Sequence, residues 1–429
     1  MDISNDWHTN PTKDQEALQR SMDLVRQCIS SHGFLASPVK NDNYRRIWGR
    51  DGVIIGLAAL MTDDEEMIAT FRETLFTLAA NQGPHGEIPS NVDPNTGRIS
   101  YGGTTGRVDA NLWFVIGCGE YWQKTKDSRF LEKMMPVLGN VMFLLGAWEF
   151  NGRGLLYVPA TGDWADEYVH EGYILYDQLL YLQAQRTWCY LQHHGLKIKN
   201  TELLDKIELL RKIIQANFWF GTDQTQSGAI YHEVLYKKGY KAADHCAARY
   251  WLPFFSPHGY GYRFDAFANV LASLLGVSSK KRHETVSSYI EKFVVPRDMN
   301  MLPAFYPVIK PMDKDWKELK VTFSYTFKNE PYEYHNGGLW PLISGFYIAD
   351  MVKNKEIEKA ERYLADLHRA NRMDMDGQSW SFPEFIHGKN FTPGGNQHQG
   401  WSASAALMGH YALQGKKVFT IDEDNIVVQ

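Results

Sequence analysis

Residues 173–219, YILYDQLLYLQAQRTWCYLQHHGLKIKNTELLDKIELLRKIIQANFW, read as two helices joined by a short turn. In the second, Leu203, Leu204, Ile207, Leu210, Ile213 and Ile214 recur at helical spacing with charges between them. A short helix–helix connection forces the two helices antiparallel. The stretch is therefore a helical hairpin, and the rest of the chain repeats it. Periodicity and start signals predict helices over residues 14–31, 51–61, 64–81, 109–125, 128–150, 173–194, 201–219, 263–277, 281–295, 336–353, 356–373 and 399–413.

The connections between these segments alternate. Those from even to odd segments are a few residues long, and those from odd to even run from about 19 to 43 residues. In a stack of hairpins every second connection lies at the same end. The chain thus builds one face of turns and one face of long loops, and nearly all of its chemically suggestive residues fall in the long loops. Twelve helices in six hairpins predict an all-α (α/α)6 barrel, read as a single catalytic domain over residues 1–429. Short β-hairpins are expected in long loops such as 220–262 and 318–328. An open solenoid would carry a regular sequence repeat, and none is present beyond the helical rhythm.

Hydrophobic residues make up 44% of the 429, enough for a large core, and no linker composition interrupts them. The net charge of −5 gives no electrostatic reason to expect nucleic acid. Cys28, Cys118, Cys189 and Cys246 form no C-x-x-C pair and read as buried free thiols. The polar N-terminus is no signal peptide, and no run of 18 apolar residues predicts a membrane span, so a cytoplasmic protein is expected. HExxH, paired-cysteine and EF-hand patterns are absent, as are phosphate-loop and dinucleotide fingerprints, so no metal or cofactor is expected. The oligomeric state is not legible.

Aromatic residues reach 14%, with 13 Trp and 23 Tyr. Most must be core. Those beside polar motifs suit flat sugar faces. Trp48, Arg50 and Asp51 end the first long loop. An adjacent Arg and Asp offer donors and acceptors to vicinal hydroxyls, although Asp51 also stands where a helix cap would. Asp109 opens the next helix after a glycine-rich loop, again as a cap or a ligand. Asp163, Trp164, Asp166 and Glu167 put three carboxylates within five residues beside an indole. Such crowding raises the pKa of at least one, as a general acid at neutral pH requires. His335 and Asn336, followed by two glycines, suit a hydroxyl-rich ligand. Glu384 lies among Trp380, Phe382, Pro383 and Phe385, and Trp401 follows at the last helix start.

Taken in order, the runs WGRD, VDANLWF, WAD, HNGGLWP, FPEF and QGWSASA resemble the six-hairpin inverting glycosidases. The nearest resemblance is to the amylo-α-1,6-glucosidase domain of glycogen debranching enzymes and to the neutral/alkaline invertases, with glucoamylase more distant. It spans residues 44–405. It implies a general acid at Asp166, with Asp163 and Glu167 as rivals, and a general base at Glu384. It also implies that Arg50 and Asp51 grip the terminal sugar. The extra domains of full debranching enzymes are missing, which favours a small oligosaccharide or disaccharide. The expected activity is exo-acting inverting cleavage of a terminal α-glucosidic bond, with sucrose cleavage as the alternative. A sugar 2-epimerase working through histidines, or a sugar-binding protein without catalysis, are the other readings of such a barrel.

Overall fold

The computed structural model describes residues 11–39, 43–221, 227–243, 249–323 and 325–426. Its helices, in order, are α1 Pro11–Gln27, α2 Asp51–Thr62, α3 Glu65–Ala80, α4 Val108–Thr125, α5 Ser128–Ala147, α6 Leu175–Tyr190, α7 Thr201–Phe218 and α8 Glu233–Ala242. They continue with α9 Ala266–Leu274, α10 Lys280–Tyr289, α11 Trp316–Leu319, α12 Pro341–Lys353, α13 Ile357–Asn371, α14 Gly400–Leu413 and α15 Glu423–Ile426.

Six of these close a ring: α2 packs on α4, α4 on α6, α6 on α9, α9 on α12, α12 on α14, and α14 back on α2. The partners α1, α3, α5, α7, α10 and α13 lie outside, each joined by a short turn to an inner helix or packed against one. The protein is an (α/α)6 barrel, as the hairpin rhythm predicts. Composition explains the two rings. Inner helices such as α2, α4 and α6 are buried on nearly every side. Outer helices such as α7 and α13 bury one stripe and expose charges on the other.

The two ends of the barrel are finished differently. At the turn end, Asp64, Asp127, Asn200 and Ser279 cap outer helices by accepting backbone N–H groups of the first turn. At the loop end, α2, α4, α6, α12 and α14 begin without a side-chain cap. Their starting N–H groups and polar side chains therefore face the loops rather than one another. Short strand pairs tie neighbouring loops together around this face. Ile47–Trp48 pairs with Asn91–Val92, which pairs with Ile99–Ser100; Tyr173–Ile174 pairs with Phe254–Ser256; Phe264–Asp265 pairs with Phe305–Tyr306.

The expected hairpin in 220–262 is present as Phe254–Ser256 with Gly259–Tyr260. The same loop also holds α8, a helix the periodicity did not predict. The hairpin expected at 318–328 is replaced by α11, with no strand among its described residues. The barrel helix expected from 336 starts at Pro341, because the chain before it stays extended to bridge Pro303 and Ile386 through Leu339.

Cys28, Cys118 and Cys189 are buried and free, and Cys246 lies outside the described residues. Among the described residues α5 is the one helix long and apolar enough to cross a membrane. Here it packs Phe130, Met134, Leu138, Val141 and Leu145 inward.

The turn end is closed by the chain itself. After α14, Lys416 reaches the Met61 carbonyl at the end of α2, and Phe419 enters the barrel between Trp113 and Phe346. The Thr420 and Ile421 amides donate to the buried Glu120 carboxylate, and the Ile421 carbonyl accepts from Gln183.

Candidate active site

The loop end gathers the residues that the motifs single out. Arg50, just before α2, donates through Nη1 to Oδ2 of Asp109 on α4 at 2.8 Å and lies 3.8 Å from Asp51. Its guanidinium is 5.8 Å from the Trp401 ring centre. Neither Asp51 nor Asp109 caps its helix. Both carboxylates are spent on, or held near, Arg50. Burial raises the Asp51 pKa to about 6, against the pull of Arg50. Oδ2 of Asp51, Nε of Arg50 and Nε1 of Trp401 are all buried without a hydrogen-bond partner. Such groups are costly unless a ligand or water meets them, and a sugar carries the matching donors and acceptors.

Glu384, 3% exposed, is the most elaborately held acid of the face. Oε1 accepts the Tyr44 hydroxyl at 2.8 Å, and Oε2 accepts the Asn396 N–H at 3.0 Å. Burial raises its pKa, the two hydrogen bonds and Lys328 work against the rise, and Asp166 adds to it. Burial and the adjacent Glu384 charge push the Tyr44 phenol well above its ordinary value, so it stays a donor. Gly395 makes the close approach feasible: its φ is +72°, and a Cβ there would sit 2.4 Å from Oε2.

Asp166 stands in the third long loop. The two carboxylates share neighbours: the buried Tyr334 phenol is raised by both, and Lys328 lowers both. The Asp166 side chain is 26% exposed, the most open of the ion-paired site carboxylates. Its Oδ2 accepts from Nη2 of Arg107, whose Nη1 donates to the Thr161 carbonyl. The expectation of a raised pKa fails here. Burial raises it, but Arg107, with Arg50 and Lys328 further off, outweighs burial and holds Asp166 below the usual carboxylate range.

The rivals separate. Glu167 is buried beside Tyr334, with its backbone carbonyl accepting from Asn329. Asp163 is fully buried in a deeper cluster with His170, 3.5 Å away, and Asp177 and Asp265. There the crowding does act: burial and the Asp163 charge push Asp177 well above the carboxylate range.

Three expected ligand residues are placed otherwise. Asn336 spends its amide on backbone, accepting from Ile309 N–H at 2.7 Å and donating to the Ile309 and Asn329 carbonyls. It knits two loops and has no amide hydrogen pointing at a ligand. Trp164 is 2% exposed, ringed by Trp340, His335, Phe305, Phe267 and Tyr176, and anchors its loop rather than offering an open face. His335 stacks on Trp340 at 5.3 Å, and burial drives its pKa down to about 3, leaving it neutral. Trp48 is half-buried, with Nε1 donating to the Asn43 carbonyl.

Sequence reasoning passed over Tyr44, Arg107 and Lys328. Tyr44 and Arg107 stand in the first and second long loops, one near Trp48 and one two residues before Asp109. Lys328 carries no motif at all. Among the described residues no group of three or more His, Cys, Asp or Glu side chains is arranged to hold a metal.

Comparison with known proteins bears on the fold and the lineage. Residues 19–415 match the family described as alkaline and neutral invertase. Among curated relatives, alkaline/neutral invertase C, mitochondrial, of Arabidopsis thaliana is 23% identical over 375 residues, covering 80% of this chain and 53% of that protein. The chain thus spans about half the length of that relative. Alkaline/neutral invertase E, chloroplastic, of the same plant is 21% identical, covering 99% of this chain and 76% of that protein. Among solved structures, a mannosylglycerate hydrolase from Thermus thermophilus superposes with a TM-score of 0.61 at 13% identity, covering 91% of this chain and 99% of that one. A bacterial glucoamylase complexed with acarbose gives 0.63 at 12% identity, covering 96% of this chain and 57% of that one. At such identities the superpositions speak for the fold, and the family match for the lineage: this chain belongs to the alkaline and neutral invertase family of six-hairpin glycoside hydrolases.

Proposed function

We propose that this protein is an exo-acting, inverting glycoside hydrolase that splits a terminal α-glucosidic bond of a small saccharide, with sucrose as the first candidate. The observation that carries the reading is the pairing of two unlike carboxylates on one face. Glu384 is buried and held by Tyr44 and the Asn396 N–H, and Asp166 stands nearer to solvent with Lys328 and Tyr334 shared between them. In this mechanism Asp166 donates a proton to the leaving oxygen as the glycosidic bond breaks. Glu384 takes a proton from the water that attacks the opposite face of the sugar, and the product anomer is inverted. Room for that water calls for carboxyl groups about 6.5–9.5 Å apart. Arg50, Asp51, Asp109 and Trp401 hold the terminal sugar, with Trp48 and Glu167 at its margin. The buried free thiols Cys28, Cys118 and Cys189 fit a reducing compartment such as the cytoplasm.

The family favours sucrose, a small substrate. A 2-epimerase is disfavoured by His335, neutral and packed between rings, with the adjacent pair His193–His194 at the other end of α6. The test is a panel of sucrose, maltose, isomaltose, trehalose and short glucans followed by proton NMR. Release of β-glucose first from an α-glucoside supports the reading. Release of α-glucose first refutes inversion, and epimerisation without a new free sugar refutes hydrolysis.

A further inference from the structure

Asp166 presents a conflict within its own site. A proton donor must carry a proton when the glycosidic oxygen arrives, yet Asp166 is engaged by a guanidinium. Arg107 is the residue just before α4, and its two outer nitrogens bridge the Thr161 carbonyl and Oδ2 of Asp166. The surrounding contacts make this a junction between the second and third long loops. Thr105 Oγ1 donates to the Ala160 carbonyl at 3.0 Å, and the Val108 N–H donates to the Gly162 carbonyl at 2.8 Å. Arg107 therefore sets where the acid loop sits as well as the charge on its carboxylate.

The junction borders an exposed loop tip. Gly106, immediately before Arg107, has φ +83°, and a Cβ there would meet only the Tyr101 carbonyl at 3.6 Å. Gly103, Thr104 and Thr105 before it are exposed. Thr161, whose carbonyl Arg107 holds, is itself at φ +67°. Gly102, at the base of this exposed tip, packs on the backbone of Gly106 and Arg107, and the Arg107 N–H donates to the Tyr101 carbonyl at 2.9 Å, so the freedom lies in residues 103–105 and at Gly106, whereas Asp109, two residues after Arg107, is held on α4 by Arg50.

We infer that Arg107 is a positioning residue that clamps Asp166 in the empty site and releases it when a saccharide enters, so that the acid gains its proton only with substrate in place. The inference rests on Asp166 being the proton donor. On release the carboxylate takes a proton from solvent and passes it to the glycosidic oxygen as the C–O bond breaks. Glu384 returns to solvent the proton it took from the attacking water, so the cycle balances. The sugar hydroxyls on the leaving side replace the carboxylate as the guanidinium's partners.

The experiment compares pH profiles of kcat/KM, which report the free enzyme, with those of kcat, which report the complex. Sucrose, or the best substrate of the panel, is used with the wild type, Arg107→Gln and Arg107→Lys. Arg107→Gln is expected to move one limb of the kcat/KM profile up by about 1 pH unit, the scale of losing an opposite charge at contact, and to leave the kcat profile in place. Arg107→Lys, which keeps the charge, is expected to restore most of the wild-type kcat/KM profile. If Arg107→Gln does not fold, Arg107→Lys alone decides, with a smaller upward move confined to kcat/KM. A move of both profiles together, or of neither, overturns the clamp. Wild-type turnover by Asp166→Asn would instead remove the assignment of the acid, whatever the Arg107 variants do.

Discussion

The hydroxyl of Tyr44, in the first long loop, donates to Oε1 of Glu384, in the last, at 2.8 Å. The bond stabilises the charged form of a carboxylate that burial otherwise favours as neutral. Tyr44→Phe should therefore raise the Glu384 pKa further. A hydrogen bond to a charged group is worth about 1.5–3 kcal/mol, so kcat/KM should drop roughly 10- to 100-fold at neutral pH. The acid limb of the profile should move upward, and recovery toward wild type as pH rises is the expected signature. A uniform loss at every pH would make Tyr44 a packing residue.

Replacing either proposed catalytic carboxylate by its amide should abolish chemistry and spare the fold. For Asp166→Asn and Glu384→Gln, kcat should fall by a factor of about 10²–10⁴. Thermal unfolding should stay cooperative, and substrate should still bind by calorimetry. The same change at Asp163, in the deeper cluster, should act mainly on stability. Loss of turnover there with an unchanged melting curve would move the acid to Asp163.

Gly395→Ala tests how Glu384 is seated. The new methyl would lie 2.4 Å from Oε2, at a φ of +72° that side chains rarely adopt. Strain of this kind costs on the order of 1–3 kcal/mol. A lowered melting temperature is expected together with a loss of kcat larger than the stability loss explains, because the base itself is pushed aside. Crystallography of the variant would show Glu384 displaced from Tyr44.

His283 gives a pH dependence that is independent of the active site. It sits on α10 between Asp350, 3.4 Å from Nδ1, and Glu356, 2.9 Å from Nε2. Burial lowers its pKa, but the two carboxylates outweigh burial and raise it to about 9, while Glu356 falls to about 2. A histidine with a raised folded pKa stabilises fully below its unfolded pKa of about 6.5, and the effect is lost as pH rises through about 9. His283→Gln should therefore cost roughly 2–3 kcal/mol at pH 6. The gap to wild type should close by pH 10. A gap that does not change with pH would mean packing, not charge.

The barrel was legible because its signal is local. Each helix in α7 or α13 writes its own buried stripe, and each short turn fixes two neighbours. Asp166, Glu384 and Arg50 stood out in the sequence because they lie in loops otherwise rich in glycine and aromatics, and Asp109 because it opens a helix directly after one. What escaped depends on contacts distant in sequence. Arg107 and Asp166 are 59 residues apart, and nothing in either loop announces the partner that reverses the expected pKa shift. Asn336 was misread for the same reason. A polar side chain before a helix looks like a ligand until the Ile309 backbone, which consumes its amide, is in place. Trp164 was misread in the other direction, since a tryptophan beside acids gives no sign of the five rings around it.

The tail that enters between Trp113 and Phe346 makes the barrel a cup rather than a tube. Whatever goes in through the loop face comes out the same way. In the proposed reaction, a terminal glucose seated against Arg50 and Asp51 would leave only after the other half of the cleaved disaccharide has cleared the rim. Such an order makes glucose a competitive product inhibitor and the first-departing sugar a noncompetitive one.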